Sequence, residues 1–79
     1  MWYEITVCKT YLENDGIKRS YYDKLKTGDY ELLRKVLCLF LKHYESFDFC
    51  HVSIEVEKYN YDKHSIIFDW QNKEIEDEI

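Results

Sequence analysis

A chain of 79 residues has room for one small domain and excludes a cofactor domain with a separate substrate lobe. Hydrophobic residues at 46% and aromatics at 18% exclude a disordered chain, and 34% charged residues exclude an integral membrane protein. The formal charge of -5 arises from sixteen acids against eleven bases, in a chain with no proline, two glycines and eight tyrosines.

The first predicted element is a strand from Trp2 to Leu12, with Tyr3, Ile5, Val7, Lys9 and Tyr11 on one face and Trp2, Glu4, Thr6, Cys8 and Thr10 on the other. Asn14-Asp15-Gly16 follows, and an Asp-Gly pair between two alternating segments predicts a type I′ hairpin turn. The second strand is expected from Ile17 to Leu25. Thr27-Gly28-Asp29 then supplies a helix start, because Thr27 or Asp29 can accept a hydrogen bond from a first-turn amide. The helix runs to about Tyr44. Leu33, Val36, Leu37, Phe40, Leu41 and Tyr44 recur at helical spacing, and Leu32 and Leu39 widen that stripe beyond what one sheet contact requires.

Alternation returns after Ser46. Cys50, Val52, Ile54 and Val56 form an apolar set, and His51, Ser53, Glu55 and Glu57 a polar one. A turn at Tyr59-Asn60-Tyr61-Asp62 leads to a fourth strand in which His64, Ile66, Phe68 and Trp70 are expected to share a face. The fold class is therefore α+β: a two-layer ββαββ domain over residues 1–70, one helix on one face of a four-stranded antiparallel sheet, followed by an acidic tail over 71–79. The other sheet face is left open, carrying His51, Glu55, Glu57, Ile67, Asp69 and part of the first hairpin.

From Asp69 to Ile79 there are five acids and one lysine, so this end carries most of the net charge. A terminal run of this kind either solubilises the chain or meets a basic partner through long-range attraction. Fourteen aromatic residues exceed what one helix-on-sheet core encloses, so some tyrosines are expected at the surface, where they suit a protein interface. The candidate partner-binding residues are Glu55, Glu57, Tyr59, Tyr61, Asp69, Glu74, Glu76, Asp77 and Glu78. An alternative nucleic-acid or nucleotide site is Lys18, Arg19, Tyr21, Tyr22, Lys24 and Lys26, where tyrosines interleave with cations as in single-strand binders. Overall acidity opposes nucleic acid as the partner, and the same cations also protect an edge strand from aggregation.

No spacing of Cys and His marks a metal site, and no phosphate-binding loop is present, so no metal and no cofactor is expected. Three cysteines at irregular spacing fit reduced thiols filling the core of a cytoplasmic protein. Cys8 or Cys50 with His64, or the pair Glu55 and Glu57, are the only catalytic arrangements to weigh, and neither is required by the pattern, so the expectation is a protein without enzymatic activity. The longest apolar run, within Val36–Leu41, falls far short of the roughly 20 residues that span a bilayer, and the start Met1-Trp2-Tyr3-Glu4 lacks the features of a secretory signal.

In length, acidity and high Tyr, Lys and Ile content the chain resembles the small single-domain inhibitors encoded by phages and mobile elements, anti-CRISPR proteins and related anti-defence factors among them. The resemblance implies a cytoplasmic, non-enzymatic inhibitor acting on a protein partner with a basic surface, including by imitation of nucleic-acid charge. It assigns no residue a role. An immunity protein or antitoxin, a small nucleic-acid-binding regulatory module, and an oligomeric sponge for a nucleotide signal are the alternatives, and a homodimer is compatible with each.

Overall fold

A computed structural model describes residues 1–47 and 49–72. The chain is α+β, with elements in the order β1 (Trp2–Leu12), β2 (Lys18–Thr27), α1 (Tyr30–Tyr44), β3 (His51–Asn60) and β4 (Lys63–Gln71). The strands form one open antiparallel sheet in the order β2-β1-β3-β4, so β2 and β4 are edges and β1 pairs centrally with β3.

Period-two alternation decides which side chains enter the core. Ile5 and Val7 of β1 and Val52, Ile54 and Val56 of β3 are almost wholly buried, and Leu33, Tyr44 and Cys50 complete the cluster. Directly paired residues share a face, so Ile5 beside Val56 and Val7 beside Ile54 form one apolar floor. Val36, Leu37, Phe40, Leu41, Phe68 and Trp70 pack against it. No helix among the described residues is long and apolar enough to cross a membrane.

Asp29 caps α1, its Oδ1 accepting from the amides of Glu31 at 3.0 Å and Leu32 at 3.2 Å. Thr27 acts one step earlier, its Oγ1 accepting from the Asp29 amide at 3.0 Å. The helix closes where the Glu45 amide donates to Leu41 O at 2.9 Å. Leu32 and Leu39 lie on exposed parts of this helix, outside the core stripe.

The first hairpin differs from the expected two-residue turn. Glu13 N–H donates to Ile17 O and Gly16 N–H to Glu13 O, both at 3.0 Å, and only Gly16 has positive φ, at 79°. This is a three-residue loop closed by a left-handed glycine, in which Asp15 needs no positive φ. Asp15 instead uses its carboxylate, accepting from Ile17 N at 3.0 Å and pairing with Arg19 at 3.0 Å. That contact holds the Asp15 carboxyl below its usual range.

A second correction lies in β4. Val56 pairs with Phe68, but Glu57 pairs with Ile66, leaving Ile67 as the extra residue of a bulge. His64, Ile66, Phe68 and Trp70 therefore do not share a face. Phe68 and Trp70 join the core, whereas Ile66 and His64 align with Glu57 and Tyr59 on the other side. Three consecutive apolar residues, Ile66-Ile67-Phe68, hide this shift from a period-two reading of the sequence.

At its far end β4 is fastened by His51 Nε2 against Gln71 Oε1 at 3.0 Å and above all by Asn72. Asn72 Oδ1 accepts from Val52 N at 2.9 Å, while its Nδ2 donates to Phe47 O at 2.7 Å and Cys50 O at 3.0 Å. The amide thus ties the β4 end to β3 and to the segment leaving α1.

Candidate functional site

No described residue covers the face of the sheet turned away from α1, and strand register lays it out as successive rungs. Reading from β2 to β4, one rung is Lys24, Thr6, Glu55, Asp69, and the next is Tyr22, Cys8, Ser53, Gln71. On the other side of the first, Lys26, Glu4, Glu57 and Ile66 form a rung, followed by Trp2, Tyr59 and His64. Glu55, Glu57, Tyr59 and Asp69 are thereby brought together on one surface.

The two lateral halves of this face are electrostatically unlike. Glu4 is 7% exposed, with the ammonium groups of Lys24 and Lys26 at 3.7 and 3.8 Å from its carboxylate. Its charge is compensated, and what the β1–β2 half presents outward is lysine. The β3–β4 half presents carboxyl groups. Burial first, then the neighbouring carboxyls of Glu57 and Asp69, push the Glu55 carboxyl above the usual glutamate range. Glu57 goes the other way, held below that range chiefly because Tyr59 OH donates to its Oε2 at 3.0 Å, with His64 Nδ1 on the same oxygen at 3.1 Å. The same bond pushes the Tyr59 phenol above its usual value.

An aromatic row crosses the sheet beside these acids. Trp2 and Tyr59 stack with centroids 3.9 Å apart and planes 1° from parallel, and His64 continues the stack at 5.3 Å and 17°. Lys26 Nζ closes the β2 end, 5.0 Å from the Trp2 ring centre. The row is flanked by the β3–β4 turn, where Tyr61 is 98% exposed at φ 57°, a left-handed conformation costly for a bulky residue. Thr6, Cys8 and Ser53 floor a depression of about 340 Å³ between Tyr22, Lys24 and Glu55.

The basic set of β2 does not form a single surface. Tyr22, Lys24 and Lys26, with Lys18 at the strand start, share the open face, whereas Arg19 and Tyr21 pair with Tyr11 and Lys9 on the helix side. Arg19 is engaged by Asp15, and Tyr21 sits edge-on to Tyr11 at 5.9 Å. Glu74, Glu76, Asp77 and Glu78 lie outside the described residues.

The cysteines divide as well. Cys8, Cys38 and Cys50 are free thiols, but only Cys50 is buried in the core; Cys8 is half-buried on the open face and Cys38 is exposed on α1, which corrects the expectation of three core cysteines. Cys50 also lies on the helix side of the sheet, opposite His64, and Cys8 shares a rung with Ser53, not with His64, so neither thiol is paired with that imidazole. Among the described residues, no group of three or more His, Cys, Asp or Glu is arranged to hold a metal ion.

Three members of this face, Trp2, Glu4 and His64, are not among the binding residues that the sequence nominates. Trp2 and Glu4 share a predicted strand face with Thr6, which places them together but does not mark them. His64 reaches Glu57 only because the bulge turns it across the sheet. The chain matches no family model, no curated protein and no solved structure.

Proposed function

We propose that this chain is a small non-enzymatic protein-binding inhibitor that uses the open sheet face to occlude a basic surface of its partner, of the kind with which a nuclease or other immune effector holds nucleic acid. One observation carries it: Glu55, Glu57 and Asp69 stand on a sheet face that no described residue covers, beside a stacked Trp2–Tyr59–His64 row. Carboxylates provide charge for steering toward a basic partner, and rigid aromatic rings provide contact area at low rotamer cost. The surface is prepared for such a partner, since no salt bridge engages Glu55 or Asp69 among the described residues while Glu4 already has its cations. A cytoplasmic setting and a phage or mobile-element origin belong to the same proposal.

The nucleic-acid alternative is less well supported by the geometry. Of the six residues of that alternative site, Arg19 is taken by Asp15, and both Arg19 and Tyr21 face the helix side, so the six do not make one surface.

The test is capture from bacterial lysate with the wild-type chain, Glu55→Lys/Asp69→Lys, and Lys35→Glu on the exposed helix face. A partner retained by wild type and Lys35→Glu but lost by the sheet-face variant supports the proposal. Equal retention by all three overturns it. Retention of labelled single-stranded DNA or RNA at physiological salt favours the alternative.

A further inference from the structure

The open face is self-complementary, and we propose that it closes on a second copy of this chain in a two-fold, face-to-face dimer that sets Lys24 of each copy over Asp69 of the other. The surface is the one assigned above to a protein partner. The inference rests on that assignment of the open face as the binding surface, and it makes the second copy a competitor of the partner.

The geometry follows from the order of the strands. Two identical sheets packed face to face with their strands aligned are related by a two-fold axis lying between them, either across the strands or along them. An axis across the strands brings β2 over β2, opposing lysine to lysine. An axis along the strands brings β2 of one copy over β4 of the other and keeps every rung level with itself. Lys24, Thr6, Glu55 and Asp69 belong to one rung, so Lys24 meets Asp69 twice, once at each side of the interface. Lys26, from the adjacent rung, lies beside the same acidic half. In the adjacent rung Glu4 comes level with Glu57 of the other copy, and the charge of Glu4 is offset there by its own two lysines, beneath which it is buried. At the end of the strands, in the aromatic row, Trp2 of one copy faces Tyr59 of the other, adding apolar contact along one border of the interface.

The face is large enough. About nine residues of strand at about 3.3 Å each, and four strands about 4.8 Å apart, give a surface of roughly 30 by 19 Å. Two such faces cover roughly 1,100 Å², above the roughly 1,000 Å² that a specific interface needs. Desolvation of Glu55 and its crowding by Glu57 and Asp69 also favour the approach of a cation to that half.

Sedimentation of the purified chain, from about 1 to about 100 µM and with no partner present, is the experiment. The expected result is a monomer–dimer equilibrium that stops at two copies. Asp69→Arg should weaken it at least about tenfold, since two attractive contacts become repulsive. Lys24→Glu should do the same; it is made with Glu4→Gln so that no carboxylate is placed over a buried one, and circular dichroism checks that both variants fold. An equimolar mixture of Asp69→Arg and Glu4→Gln/Lys24→Glu should restore the dimer, because each supplies the charge that the other lacks. A wild-type monomer across the range, growth beyond the dimer through the sheet edges, an unweakened Asp69→Arg, or an unrestored mixture overturns the proposal. None of these outcomes bears on lysate capture, so failure of the dimer is distinguishable from failure of the inhibitor function.

Discussion

The two faces of the sheet are made from the same four strands, one residue out of step, yet they solve different problems. The helix side is closed by shape: Ile5, Val7, Val52, Ile54 and Val56 are packed to near-zero exposure. The open side is organised by charge and ring stacking, compensated around Glu4 and uncompensated around Glu55 and Asp69. Buried apolar packing is concentrated on one face, and charged and aromatic groups on the other. A substitution should therefore report mainly on the face to which its side chain belongs.

The sharpest way to break that division is to move one residue along β3. Ile54→Ala removes a fully buried side chain and should cost about 2–5 kcal/mol, much of the roughly 4–12 kcal/mol available to a domain of this size. Ser53→Ala, its neighbour on the open face, should change stability by less than about 1 kcal/mol. Urea unfolding of both variants measures the contrast; comparable losses would show that the open face also contributes to the core. Asn72→Ala tests the boundary between the two, for it removes three hydrogen bonds that fasten β4 to β3 and to the α1 exit. A loss of about 1–3 kcal/mol is expected.

A smaller effect, with the opposite sign, is expected at the rim of the open face. Tyr61→Gly relieves a left-handed φ and should stabilise the chain by up to about 1 kcal/mol, even though the unfolded state gains freedom from the glycine. The same change should weaken partner capture. Better folding with poorer capture would identify Tyr61 as a residue kept for contact at a cost in strain.

The helix-side face was legible because burial enforces a period: the spacing of Cys50, Val52, Ile54 and Val56 predicts both the strand and its inward side. The helix start is likewise legible from Thr27-Gly28-Asp29, and of the two candidate caps it is Asp29 that accepts from the first turn. Elsewhere two readings compete locally. Asp15-Gly16 suits a two-residue turn and a three-residue one, and only the hydrogen bonds of Glu13 decide. The shift at Ile66–Ile67 depends on which of two isoleucines is left unpaired, a cross-strand choice that no single strand encodes. His64 is misplaced by that one residue, and with it the ring stack. Glu55, Glu57 and Asp69 could be named from the chain, but the opposite shifts of the two glutamates depend on Tyr59 and on strand register.

Those two glutamates give the finest comparison, because they lie two residues apart on one strand and are shifted in opposite directions. Folding raises the Glu55 carboxyl, so its neutral form is favoured: its contribution is fully present below the ordinary carboxylate range and is lost as pH rises through the raised value. Folding lowers Glu57, so its contribution is present above the ordinary range and is lost as pH falls through the depressed value. Glu55→Gln should therefore raise the melting temperature at neutral pH, with a gap from wild type that closes on acidification through the Glu55 titration. Glu57→Gln should lower it at neutral pH, with a deficit that shrinks as the pH falls below the Glu57 titration. Parallel melting curves from pH 3 to 8 separate the two, and gaps of the same sign would show that the pair titrates as ordinary surface acids rather than as one crowded and one anchored carboxyl.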